Sequence, residues 1–336
     1  MPTVSIAVPV RNEVARLPRL LQALARQQNA PDFSLCLFFD NCRDGSETAV
    51  ETLAADLPFP ILSGRCVAGG PPNAGIARHR AAELTLTDAG DDTLLTTDAD
   101  SEPAPDWIAA NLAALTHADL VAGRIVRSSG ETPVQDRLEC YRDRLHVLRR
   151  TLDPVCWEDG PTHHWVSGAS LAMRARTYRA LGGFGALANG EDAAFGDTAA
   201  RAGLRLRRDA RVIVQTSSRR KGRATAGFAT MLAAFDRFSA DPGVVHPADE
   251  AWRFSSQAAA RSWHRTGALA RAASHLRLPL SEVMQVAGEC ANGEAFAARI
   301  VGSPPGGLRS VPLAQAETIL AELEADIQVT GIGDAA

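Results

Sequence analysis

Asp98 and Asp100 stand one residue apart at the end of a short aliphatic run, Thr93–Thr97, within the stretch DDTLLTTDADSEPAPD. If the extended backbone of that run carries on through them, both carboxylates leave the same face together. Two carboxylates aimed at one point raise each other's pKa unless something positive sits between them. A hard divalent cation such as Mg²⁺ or Mn²⁺ meets that need and keeps positions open for phosphate oxygens. In an open α/β sheet, ligands bind at the carboxyl ends of strands, where this pair falls. An acidic pair ahead of two prolines is also ordinary solvated surface, so alone it leaves both readings open.

The elements around the pair set the context. Val4–Val10 (VSIAVPV) is almost wholly apolar and reads as a central strand. Arg11-Asn12-Glu13 breaks it, and a helix follows with Leu17, Leu20, Leu21 and Leu24 on one face and Pro18 in its first turn. Phe33–Phe39 is a second strand, followed by Asp40–Ser46 and a helix carrying Val50, Leu53 and Leu57 inward. Pro60–Leu62 is a short third strand, and a Gly-rich loop leads to a helix from Ile76 bearing Arg78, His79 and Arg80. A helix over Asp106–His117 and a strand over Asp119–Val126 come after the acidic pair. This βαβα rhythm predicts a mainly parallel sheet with helices on both faces. Further on, Gln135–Thr151 is an Arg-rich helix, Trp165–Met173 is apolar, and Glu191-Asp192 opens a helix ending near Gly203. Leu204–Arg208 and Val212–Thr216 read as two short strands.

Bulk properties exclude several classes. At 336 residues with 46% hydrophobic content, the chain has room for a main domain and an appendage. A net charge of −4 argues against general nucleic-acid binding. Six scattered cysteines without CxxC spacing fit reduced thiols better than disulfides or a zinc site. No stretch approaches 18 uninterrupted apolar residues, so no membrane span is expected, and a cytoplasmic location is the expectation.

Taken in order, VSIAVPVRNE, FFDNCRDGSETA, GIARHRAA, TLLTTDADSEPAPDW, SGASLAMRARTYRALGGF and GEDAAFGDTAARAG resemble the nucleotide-sugar-dependent glycosyltransferases of family 2, which have the GT-A fold. The resemblance runs from Val4 to about Phe228. It implies a hexosyltransferase-class enzyme with a GT-A domain over residues 1–225 and an α-helical extension over 226–336. By the same resemblance, Pro9, Val10, Arg11 and Glu13 hold the nucleoside, and Asp40 accepts from the imide nitrogen of the base. Arg78 approaches the nucleotide, unless it lies on a solvated helix face. Asp98-Ala99-Asp100 is the DxD motif, with Asp100 on the cation and Asp98 reaching ribose or metal through water. Mn²⁺ or Mg²⁺ is the implied cofactor, and a UDP-sugar is the expected donor. Asp192 matches the catalytic base, with Glu191 orienting acceptor or base; direct displacement by an acceptor hydroxyl inverts the anomeric centre. Helix-terminus charge is the competing account of Glu191-Asp192, as capping is for Glu13 and Asp44.

The match has departures. The loop after the second strand reads DNCRDGS where the family favours a DDGS-like spelling, so base contacts there can slip by a residue or two. Some relatives carry a cation-binding His after the late strand, where this chain has Gln215-Thr216-Ser217. His163 and His164 beside Trp165 suit an acceptor pocket or a plain packing role, and Arg219–Arg223 (RRKGR) suits an anion or open solvent. The tail carries an apolar stripe, Leu269, Ala273, Leu276 and Leu280, fit for packing on the catalytic domain or for a homodimer. The acceptor is small or lipid-linked. Two rivals remain: a sugar nucleotidyltransferase, which wants a Gly-rich basic loop where VPVRNE stands, and a non-catalytic nucleotide-sugar-binding module.

Overall fold

β1 (Val4–Val10) is buried at every position but Pro9, as a strand covered on both faces must be. β2 (Phe33–Asp40) and β4 (Thr93–Thr96) flank it, both parallel, and β3 (Ile61–Cys66) extends the sheet beyond β2. On the other side, β7 (Leu171–Arg174), followed directly by the short α6 (Ala175–Ala180), runs antiparallel to β4 and to β6 (Leu120–Arg127). β8 (Leu206–Thr216) is parallel to β6, and β5 (Ser101–Pro103) closes the sheet antiparallel to β8. The order is β3-β2-β1-β4-β7-β6-β8-β5, with the parallel pairings in the majority. In this computed structural model residues 4–67, 73–84, 86, 92–127, 133–217 and 241–333 are described.

Strand alternation sorts the helices onto the two faces. Ile6, Val8 and Val10 join Leu35, Leu37 and Phe39 beneath Leu17, Leu20, Leu21 and Leu24 of α1 (Leu17–Ala25). Val50 of α2 (Ser46–Leu53) and Trp107 and Ile108 of α4 (Trp107–Ala114) complete that layer. Each α1 leucine is at most 1% exposed, worth roughly 1.5–3 kcal/mol of transfer free energy apiece. The opposite face is covered by α3 (Ala74–Glu83), where Leu84 and Phe38 crowd the Cα of Gly64.

Three elements differ from the sequence expectation. α2 stops at Leu53 and tightens into one 3₁₀ turn, so Leu57 packs from beyond the helix. β5 is too short to show a period of its own. The two late strands are one, β8, interrupted where Gly123 pairs with Asp209 and Arg124 with Ile213. Gly123 admits that irregularity, since a Cβ there would come within 2.7 Å of Val212.

The chain divides into two compact units. The first comprises Met1–Glu131, Trp165–Ala199 and Arg205–Asp236; the second comprises Thr132–His164, Ala200–Leu204 and Arg237–Ala336. The second unit is helical, built from α5 (Pro133–Leu152) and the helices Pro247–Thr266, Leu269–Leu276, Leu280–Glu289, Gly293–Ile300 and Leu313–Gly333, with a small hairpin of Gly243–Val245 and Ser310–Pro312. Its core gathers Ala260, Ala272, Val283, Phe296 and Ile300. Arg137 meets Glu317 at 2.6 Å and Arg144 meets Glu324 at 2.5 Å. Ala273 and Leu276 are buried in this core with Leu269 packed beside them, so the tail stripe is largely spent inside the unit. Among the described residues, no helix is long and apolar enough to cross a membrane.

Candidate active site

The loops after β1 and β2 are stitched together at the carboxyl edge of the sheet. Asn12 and Asn41 both take left-handed backbone, φ 53° and 52°, and Gly45 caps α2 at φ 81°. The Arg43 amide donates to Asn12 Oδ1 at 2.8 Å, the Glu13 amide to Ser46 Oγ at 3.0 Å, and the Val14 amide to Asp44 Oδ2 at 3.0 Å. Burial works against charge on Asp44, but bonds from the Ser46 hydroxyl and the Val14 and Ser46 amides outweigh it and hold its carboxyl below the usual value. Asp44 therefore fastens the two loops. Arg11 Nη1 donates to Asp40 Oδ2 at 2.7 Å, and Asn41 Nδ2 donates to Asp40 Oδ1 at 2.7 Å. Both groups are half-buried, and the pair faces the same edge. Pro9 is half-buried, Val10 buried, and the Glu13 carboxylate lies 3.7 Å from Arg16 at 5% exposure.

The acidic pair is set by a turn and not by strand alternation. β4 ends at Thr96, and the Ser101 amide donates to the Asp98 carbonyl at 3.1 Å, folding Asp98–Ser101 back toward β5. Ala99 is buried in the main core beneath this turn, while Asp98 and Asp100 are both half-buried. The extended-backbone argument for a shared face is thus corrected: the turn, anchored by Ala99, presents the pair.

Arg78, on α3, is neither solvated nor loosely placed. It is 5% exposed and its guanidinium is fully engaged. Nη2 donates to Asp98 Oδ1 at 2.9 Å, Nε to Glu191 Oε1 at 2.9 Å, and Nη1 to the Gly168 carbonyl at 3.0 Å. Burial disfavours the cation, but the charges of Asp98, Glu191 and Asp192 outweigh it and raise its pKa above the ordinary arginine value. Removing one partner from a buried pair of this kind costs about 3–5 kcal/mol. The Phe184 ring lies 5.9 Å from the guanidinium carbon.

Glu191 and Asp192 open α7 (Glu191–Arg201), where carboxylates complement the helix dipole. Asp192 Oδ2 accepts from the Gly168 amide at 2.8 Å and Oδ1 from the Ala193 amide at 2.8 Å. Gly168 is a hub that the sequence did not single out. Its carbonyl also accepts from Thr96 Oγ1 at 2.8 Å, and a Cβ on it would sit 2.2 Å from Arg78 Cζ. Its one signal is a glycine inside the otherwise packed segment WVSGASLAM.

The two histidines belong to the second unit. His163 is fully buried, and His164 Nδ1 lies 2.7 Å from Asp143 Oδ1, whose carboxylate also accepts the His164 amide. The basic run Arg219–Arg223 lies outside the described residues.

The family model of glycosyl transferase family 2 matches residues 5–175, just over half of the chain. Glu191 and Asp192 lie beyond that match. No curated protein matches the chain. Among solved structures, Staphylococcus aureus TarS 1-349 in complex with UDP-GlcNAc is similar at 16% identity and TM-score 0.50, over 77% of this chain and 72% of that one. The mannosyltransferase PcManGT from Pyrobaculum calidifontis, in complex with GDP-Man and Mn²⁺, aligns at 18% identity and TM-score 0.49, over 89% and 86%. The likeness to TarS is one of fold. With its motif-bearing loops gathered on one sheet edge and the family match spanning β1 to β7, the chain belongs to glycosyl transferase family 2 and is a glycosyltransferase of GT-A fold.

Proposed function

We propose that the protein transfers a sugar from a nucleotide-diphosphate sugar to an acceptor hydroxyl, with inversion, using Asp192 as base and a divalent cation at the Asp98–Asp100 turn. The observation that carries this reading is the meeting of Asp98, Glu191 and Asp192 around one buried arginine at the carboxyl edge of the sheet.

The donor set suits the cation. Asp98, Glu191 and Asp192 bring three carboxylates to the guanidinium of Arg78, and Asp100 stands in the same turn as Asp98, a negative setting that on its own opposes a diphosphate. Among the described residues, no three His, Cys, Asp or Glu side chains converge to hold an ion. Mg²⁺ and Mn²⁺ are commonly held by one or two carboxylates together with substrate phosphates, so Asp100, supported by Asp98, fits that role. When bound, the ion neutralises charge on the departing nucleoside diphosphate.

The remaining work falls to the chain itself. Asp40, held by Arg11 and Asn41, offers an acceptor to a base N–H, with Arg11 as the adjacent donor. The backbone at Pro9 and Val10 lines the same loop, and Glu13 braces its far end. The Gly168 and Ala193 amides fix the Asp192 carboxylate. Asp192 takes the acceptor proton while the acceptor oxygen bonds the anomeric carbon and the bond to the diphosphate breaks. One displacement from the opposite face inverts that carbon. A UDP-sugar is the donor favoured here, since the same fold carries UDP-GlcNAc in TarS. The six thiols, none of them paired in a disulfide, suit a reducing cytoplasm.

Titration calorimetry with UDP, GDP and ADP, each with and without Mn²⁺, tests the reading. Metal-dependent binding of one nucleotide is expected; no metal-dependent binding of any would reject it. A donor screen for sugar-nucleotide hydrolysis then names the sugar.

A further inference from the structure

We propose that Arg78 is the positioning residue of this site: it holds Asp98 and Glu191 as scaffold and, through Gly168, sets the backbone amide that aims Asp192 at the acceptor's proton. This rests on the function proposed above and assigns roles within it.

The geometry is a closed circuit. From Arg78, one arm reaches Asp98 on the donor side and another reaches Glu191 at the start of α7. The third holds the Gly168 carbonyl, and the amide of that same residue holds Asp192. Glu191 and Asp192 are consecutive, so the path returns to its start. The Glu191 side chain is 4% exposed with one oxygen bonded to Arg78, which keeps it from an acceptor entering from solvent. Asp98 is likewise tied through Oδ1. Thr96, two residues before Asp98, donates to the same Gly168 carbonyl and locks the end of β4 to the circuit. A planar fork with three directed donors satisfies these partners; an ammonium on a flexible stem cannot reproduce that arrangement. Arg78 and Glu191 are therefore positioning residues, and displacement of the guanidinium is relayed to the amide that aims the base.

Steady-state transfer kinetics and Mn²⁺-dependent nucleoside diphosphate titrations on the unaltered protein, Arg78→Lys, Glu191→Gln and the double variant test this. Arg78→Lys is expected to lower kcat about 100-fold, the scale of a misplacement of about 1 Å, with nucleotide affinity held within about threefold. Glu191→Gln lowers kcat in the same way, and the double variant is no worse than Arg78→Lys alone, as expected for members of one unit. Loss of nucleotide affinity in step with kcat would make Arg78 a donor ligand and overturn the proposal, as would full activity in either single variant or losses that multiply in the double. If Arg78→Lys does not fold, Glu191→Gln carries the test: lost kcat at unchanged affinity supports it, and unchanged kcat sinks it. An unaltered protein that binds no nucleotide removes the underlying function as well, which separates the two failures.

Discussion

The Gly168 amide lies 2.8 Å from Asp192 Oδ2, joining the segment before β7 to the first turn of α7. An asparagine in place of Asp192 keeps an oxygen for that amide and loses the ability to take a proton. Asp192→Asn is expected to retain nucleoside diphosphate binding and to lower transfer about 10²–10⁴-fold. Calorimetry and transfer assays on one preparation check this; undiminished transfer would move the base elsewhere.

Gly168→Ala drives a methyl to within 2.2 Å of Arg78 Cζ, so the guanidinium or the β7 entry must give way. Overpacking of this kind costs about 1–3 kcal/mol. The variant is expected to melt a few degrees lower and to lose far more transfer than that stability change explains. Thermal melts set beside kcat measured well below the melting point separate the two effects.

Asp100→Asn removes the carboxylate assigned to the cation and leaves the Arg78 pair intact. The Mn²⁺ concentration that half-saturates transfer is expected to rise at least about tenfold, as for loss of one of few ionic ligands. Asp98→Asn is expected to shift it less. Mn²⁺ titrations of activity, after chelation with EDTA, read both.

Asp209 gives the fold an acid limit. It is 1% exposed and accepts from Arg207 Nε at 2.8 Å and from Arg211 Nη2 at 2.6 Å. Burial works against its charge, yet the bonds from Arg211 and Arg207 prevail and bring it down to about 2 from 3.8. Because the folded value is the lower one, its contribution to stability is fully present above 3.8 and is lost as pH falls through about 2. The denaturation gap between the unaltered protein and Asp209→Asn is expected to be constant near neutrality and to close across that interval. A gap that widens on acidification would contradict the sign.

The sheet and its main helices were legible because their cause is local. Leu17, Leu20, Leu21 and Leu24 repeat at helical spacing, and the apolar runs of β1 and β2 have no other use in a chain of this composition. The motif loops were legible from their order along the chain. What was not legible depends on partners far apart in sequence. The family resemblance singled out Arg78, but not that Glu191, 113 positions on, is its partner. Gly168 carries no side chain to announce its role, and β5 exists only because β8 offers it an edge. The interruption in β8 masqueraded as a break between two strands, since Asp209 and Arg211 look like turn residues while they bond each other within one strand.

β7 runs against β4, so Thr96 lies opposite Leu171 and the chain arrives at the working edge just where the earlier strands leave it. The loops after β1, β2 and β4 depart from that edge, whereas Gly168 comes to it inbound, after the stretch Thr132–His164. Insertions or exchanges in that inbound stretch leave β1, β2 and β4, and the loops that follow them, unbroken in sequence. A reversed strand in this position thus separates, along the chain, the residue that fixes Asp192 from the loops that carry Arg11, Asp40 and Asp98.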